Sequence, residues 1–276
     1  MEPLPRWSLA SCSSPAKARG LREHSGGGAL LGARYVTVNG DDSDMERACE
    51  TFAALTANAR SYGLRPVIEP IPHTHVSNLD EAVHIAEHSG GGGILLDALH
   101  FRRFGGSVEQ LRSLDPELLS YAQLCDAPLA PPSGLPRPRK LPRGQSTDGT
   151  DLQLESRAMR LLLGDGELPL AGFLAALPEG MPVSVEAPVL SLWEALTPVE
   201  FARRARQAVA ACCARGARRE QRTRRRTRLA LDRARMLDRV NMLARPRSDT
   251  GSRVRSGMPS IFMAGALEKT DDLART

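Results

Sequence analysis

The chain has 276 residues, 41% of them hydrophobic, enough for one barrel-sized domain. Its net charge of +5 is uneven: residues 201–276 carry 20 Lys and Arg against 7 Asp and Glu, whereas residues 1–200 carry 17 against 25. The basicity therefore belongs to the tail, and the acidic remainder gives no reason to expect nucleic-acid binding.

Residues 1–28 are rich in Ser, Gly, Pro and Arg and read as a disordered leader. They lack the apolar core of a signal peptide. Arg34–Val38 is the first predicted strand. Ser43 is the expected N-cap of a helix, with Glu46 completing a capping box. Met45, Ala48, Phe52, Leu55, Ala59 and Tyr62 follow on one face, and Gly63 ends the helix. Leu64–Glu69 is the second strand. Asn78 and Glu81 cap the next helix. The glycines 90–93 lead into a third strand that ends at Asp97. They precede a strand instead of opening a helix, so they do not form a phosphate-cradling loop.

Ser107 and Gln110 open a short helix, and Tyr121–Asp126 is the fourth strand. Residues 127–150 form a Pro- and Arg-rich loop, long enough to be a lid or an insertion. A helix over Leu168–Leu177 and a fifth strand, Pro182–Glu186, follow. Thr197, Pro198 and Glu200 open the last amphipathic helix. From Arg215 to Arg228, eight of fourteen residues are arginine and one is acidic, with no aromatics between them. Residues 214–276 therefore read as a basic, disordered tail. Cys12, Cys49, Cys125, Cys212 and Cys213 show neither zinc spacing nor a disulfide framework, so reduced thiols in the cytosol are expected. No run reaches the ~18 apolar residues of a membrane span.

Alternating strands and helices imply a parallel sheet with right-handed crossovers. Four of the strands end in oxygen donors: Glu69, Asp97, Gln123 and Glu186. Three carboxylates and an amide at one end of a sheet suit a hard divalent cation. His100 follows Asp97 by three residues. His73 and His75 follow Glu69 closely but fit no motif. Asp126 reads equally as a partner to a ligand or as a surface carboxylate.

Five segments carry a resemblance. They are Ile68-Glu69-Pro70, Asp97-Ala98-Leu99-His100, Gln123-Leu124-Cys125-Asp126, residues 164–170 (GDGELPL) and Val185-Glu186. In this order they resemble the xylose isomerase-like TIM-barrel superfamily, most closely its sugar phosphate isomerase/epimerase branch, over roughly residues 29–210. The resemblance implies an α/β fold, an incomplete (β/α)8 barrel retaining about five parallel strands. It places this partial barrel in residues 29–213, with the family's first three strands lacking on the N-terminal side. Val36 and Ile68 are then expected to line the barrel interior.

The resemblance also implies a site. Glu69, Asp97, Gln123 and Glu186 become metal ligands. Many members carry histidine where Gln123 stands, so the amide shifts the expected metal toward Mn2+ or Mg2+. His100 becomes a substrate contact. Arg160, and after it Arg157, matches an arginine that precedes a Pro-Gly-Glu-Gly turn, although Leu163 and Asp165 depart from that turn. The implied reaction is isomerisation or epimerisation of a sugar or sugar phosphate, by proton abstraction next to a carbonyl through an enediolate. Glu69 and Glu186 would exchange the proton, with His100 as the third catalytic candidate. The alternatives are a 3-dehydroshikimate dehydratase-like lyase and an inactive barrel fragment. The expected partner is a small sugar or hydroxy-carbonyl molecule, with neither membrane nor nucleic acid. Exposed sheet edges also favour pairing with a second copy.

Overall fold

A computed structural model of the chain describes residues 32–141, 145–212 and 214. The expected leader, and the expected tail apart from Ala214, lie outside the described residues. The described part opens with β1 (Tyr35–Asn39), α1 (Met45–Arg60), β2 (Arg65–Glu69), α2 (Leu79–Glu87) and β3 (Gly93–Asp97). Next come α3 (Ala98–Arg103), α4 (Val108–Arg112), a 3-10 turn (Pro116–Leu118) and β4 (Leu119–Leu124). After the long loop stand α5 (Asp151–Ala158), α6 (Leu170–Ala176), β5 (Val183–Val185), α7 (Leu190–Ala195) and α8 (198–212).

The five strands form one parallel sheet in the order β1-β2-β3-β4-β5. Each strand pairs with its neighbour in sequence, which is how a barrel winds; a doubly wound sheet reverses direction partway. The fold is the partial (β/α)8 barrel that the sequence implied.

Local signals set the element ends. Asp44, not Ser43, caps α1: its side chain accepts from the Arg47 N–H at 3.1 Å. Asn78 caps α2 by accepting from the Glu81 N–H at 3.1 Å. Glu81 reaches past Asn78 to the Ser77 N–H at 2.6 Å. Thr150 and Gln153 form a reciprocal capping box at α5, a helix absent from the sequence prediction. That box was legible as Thr-x-x-Gln at the end of the loop. The loop itself packs: Leu141 is buried with Leu154 and Ala158 in a small core of its own.

The sheet separates two apolar layers. Val36, Val38, Ile68, Ile94 and Leu96 face the helices, packed with Phe52, Leu55 and Ile85. Val67, Leu95 and Tyr121 form a second cluster on the opposite, inner face, joined by Tyr35. There the hydroxyls of Thr37 and Tyr121 lie 2.9 Å apart. Val36 and Ile68 therefore do not line the interior. In a strand, a shift of one residue exchanges the faces, and both faces of these strands are apolar enough to hide the phase. Because side chains alternate, Glu69 shares the inner face with Val67, Asp97 with Leu95, and Gln123 with Tyr121.

Among the described residues, β1 and β5 form the sheet edges. β5 is short and exposed, with Val183 40% and Val185 37% accessible.

Candidate metal centre

Register staggers the donors: Ile68 pairs with Ile94, three residues before Asp97, and Gln123 pairs with Ser184, two residues before Glu186. Asn39 pairs with Glu69, and Asp97 with Gln123. The Glu186 N–H donates to the Leu124 carbonyl at 3.0 Å, extending the ladder one residue beyond β5. One carboxylate oxygen each from Glu69, Asp97 and Glu186 lies within 4.8 Å of the others. Glu69 and Asp97 are buried, whereas the Glu186 side chain is 43% exposed and marks the open side of the site. Gln123 belongs to the group by its register, and its Oε1 is buried without a hydrogen-bond partner.

Asp97 is held from two sides. Its Oδ1 accepts from the Leu99 and His100 N–H groups at 2.9 and 3.0 Å, so the carboxylate caps α3. Its Oδ2 accepts from Arg160 Nη1 at 2.6 Å. The same Nη1 reaches the Glu186 carbonyl at 3.1 Å and Cys125 Sγ at 3.4 Å. Arg160 Nη2 stands 3.7 Å from a Glu186 carboxylate oxygen and 3.4 Å from His100 Nε2. The guanidinium is thus the internal counter-ion of the carboxylates. Arg157 turns elsewhere, donating to the Ser146 and Asp148 carbonyls at 3.2 and 3.1 Å and closing the long loop onto α5.

Asp126 is neither a partner to a ligand nor a surface group. It is buried and accepts from the N–H groups of Ala127, Gly164 and Leu168 at 2.9, 2.8 and 3.0 Å. These bonds fold the 164–168 turn against the end of β4. Gly166 is required there, because a Cβ would come within 2.6 Å of Asp126 Oδ1 and of the Ala127 backbone.

The electrostatics follow from burial and crowding. Burial, then the charges of Glu186 and Asp97, push the Glu69 carboxyl well above its ordinary range. Burial pulls Asp97 the same way, but the Arg160 charge and the hydrogen bonds from Arg160 and the His100 N–H outweigh burial and hold it low. Burial pushes His100 down to about 3, so its ring is neutral. A neutral Nε2 facing a guanidinium is an acceptor, which leaves the proton on Nδ1. His100 Nε2 lies 4.0 Å from Glu69. His73, which fitted no motif, stands edge-on to His100 with ring centroids 5.8 Å apart, and its buried Nδ1 has no partner. Burial and the nearby arginines push His73 down to about 4. No sequence spacing could have placed it here.

These shifts predict acid sensitivity. Above pH 6.5 both histidines are neutral in either state and contribute nothing. Below it the unfolded chain takes protons that the fold refuses down to about 3 and 4, so stability falls as pH falls. Glu69 acts oppositely above 4.5, where the fold retains a proton that the unfolded chain has lost. The decline should therefore steepen below pH 4.5. Urea unfolding at pH 7, 5.5 and 4 measures it, and His100→Asn should flatten the slope by up to about 1.4 kcal/mol per pH unit. Equal slopes in the two proteins would discard this account.

The donor set fits a divalent cation. Three carboxylates converge, an amide oxygen lacks a partner, and all four donors are oxygen. No family model matches the chain, and no curated protein does. Solved structures do match. One is the IOLI protein with a bound zinc atom, at TM-score 0.57 and 19% identity over 74% of each chain. Another is a xylose isomerase domain protein from Alicyclobacillus acidocaldarius, at 0.52 and 22%, covering 76% of this chain and 78% of that one. A third is L-ribulose 3-epimerase, at 0.53 and 15%, covering 78% and 76%. The chain has the xylose isomerase-like barrel fold. In a xylose isomerase-like barrel the carboxyl ends of the strands carry the chemistry, and the cluster described above sits at that end.

Proposed function

We propose that the chain is a divalent-metal-dependent isomerase or epimerase of a sugar or sugar phosphate, performed by residues 29–213. One observation carries the reading: Glu69, Asp97 and Glu186 converge within 4.8 Å at the carboxyl ends of parallel strands. The likeness to L-ribulose 3-epimerase supports the substrate class. Glu69, Asp97, Gln123 and Glu186 would hold Mn2+ or Mg2+, as an all-oxygen donor set favours. A cation held by these residues would supply Lewis acidity to a substrate carbonyl and so make the neighbouring C–H more acidic. Glu69 and Glu186 then act as a pair across the substrate carbon, one taking the proton and the other returning it. His100, a neutral ring, would contact the substrate. Arg160, buried as the carboxylates' counter-ion, would reach a substrate oxygen only through Nη2, which stands beside Glu186 and His100.

The test has two parts. Metal analysis of the purified full chain should find about one Mn2+ per chain after reloading, and less in Asp97→Asn and Glu186→Gln. Equal metal in all three proteins ends the reading. In deuterated water, NMR should then show exchange next to the carbonyl in at least one of a panel of ketopentoses, ketohexoses and their phosphates. Turnover of dehydroshikimate without such exchange would assign the lyase chemistry instead.

We also propose self-association through β5, on the strength of its exposed valines. Size-exclusion chromatography with light scattering should report more than the monomer mass. Val183→Lys should shift it toward the monomer. A wild-type monomer at all concentrations refutes this.

A further inference from the structure

A second cluster of donors lies on the helix layer, apart from the inner face of the sheet. Cys49 projects from α1, His84 from α2, and His88 caps the C-terminal end of α2. One ligand atom from each lies within 4.8 Å of the other two. His84 and His88 are four residues apart, which puts both rings on one helix face. Their centroids are 4.4 Å apart. Both are exposed, and Cys49 is half-buried at the edge of the core.

We propose that Cys49, His84 and His88 form a zinc site that ties α1 to α2. Three features support it. First, one thiolate and two imidazoles are the donors zinc prefers, unlike the oxygen set at the sheet. Second, a tetrahedral ion at about 2.1–2.3 Å from each donor needs ligands about 3.5 Å apart. The present spread closes to that with small rotations of two exposed rings. Third, one imidazole is already held as a ligand would be. His88 Nδ1 lies 2.6 Å from the His84 carbonyl, and a carbonyl can only accept, so Nδ1 carries the proton. That leaves the lone pair on Nε2, the arrangement that outer hydrogen bonds impose on metal-bound histidines. The fourth position falls to water, since both imidazoles face solvent. The thiol proton is released to solvent when sulfur binds.

Cobalt gives a direct readout, because a thiolate ligand adds a sulfur-to-metal charge-transfer band that an oxygen site cannot produce. The full chain titrated with Co2+ should develop that band, and Zn2+ should bleach it. The band should vanish in Cys49→Ser and persist in Cys125→Ser and Glu186→Gln. His84→Gln, an exposed change that spares the fold, should weaken Co2+ binding at least as much as loss of an outer partner does, on the order of 10–100-fold. Zn2+ should raise the melting temperature of the wild type but not of Cys49→Ser. Absence of the band in the wild type, or its survival in Cys49→Ser, overturns the proposal, as does unchanged cobalt affinity in His84→Gln.

Discussion

Replacing Arg160 with glutamine should cost the metal-free protein about 3–5 kcal/mol, the usual penalty for stripping one partner from a buried ion pair. Typical domains have only about 5–15 kcal/mol in all. The guanidinium and Asp97 are both buried, and Glu69 and Glu186 crowd the same space. Without the cation, Asp97 loses its 2.6 Å partner and keeps its like-charged neighbours. Glutamine keeps a polar group on a shorter side chain but brings no charge. Removing the charge together with its partner should be milder, so Arg160→Gln/Asp97→Asn should be less destabilised than Arg160→Gln alone. Mn2+ should stabilise Arg160→Gln more than the wild type, because a metal no longer competes with the guanidinium for Asp97 Oδ2. Urea melts in EDTA and in Mn2+ measure all three differences. If Arg160→Gln lies within about 1 kcal/mol of the wild type in EDTA, well below that penalty, the guanidinium is not the counter-ion of the cluster.

Glu69→Gln and Glu186→Gln should each lower proton exchange by roughly 10²–10⁴-fold, the range that a positioned acid or base contributes. Their stabilities should diverge from their activities. Glu69 is a buried acid pushed upward by burial and by two neighbouring carboxylates. Its amide removes that repulsion, so the metal-free variant should melt at or above the wild-type temperature while losing activity. This is the trade expected where a site holds strained charge for function. Glu186 is 43% exposed, and its replacement should leave the melt nearly unchanged. Exchange rates and melts on the same preparations test the pair. A Glu69→Gln protein with full exchange would remove Glu69 from the chemistry.

The strands were legible because their signal is local. Val67-Ile68-Glu69 and Ile94-Leu95-Leu96-Asp97 are apolar runs that end in a carboxylate, and their alternation with helices is enough for a parallel sheet. The caps at Asn78, Ser107 and Thr197 were legible for the same reason, since a cap bonds within three residues of itself. The α1 cap was misplaced by one residue, because Ser43 and Asp44 are both good caps and only the backbone turn chooses between them.

The sequence by itself therefore determined the order of the five strands, their parallel sheet and the oxygen donors at the strand ends, but not the short helices α3, α5 and α7. Tertiary structure decided what those donors face. Whether Val36 or Thr37 points inward depends on register with β2, and two apolar faces leave no alternation to read. Arg160 stands 63 residues from Asp97, and its use as a counter-ion rests on the Asp126–Leu161 bridge that brings it under the sheet. Asp126 read equally as a ligand's partner or a surface carboxylate, and only the folded turn shows its oxygens taken by three backbone donors. His73 reaches His100, and Cys49 reaches His84 and His88, across gaps that no motif spans. Bonds within a helical turn or along a strand are written in adjacent residues. Charge balance and ligand sets are not, because they come from side chains that meet only after the helices have packed on the sheet.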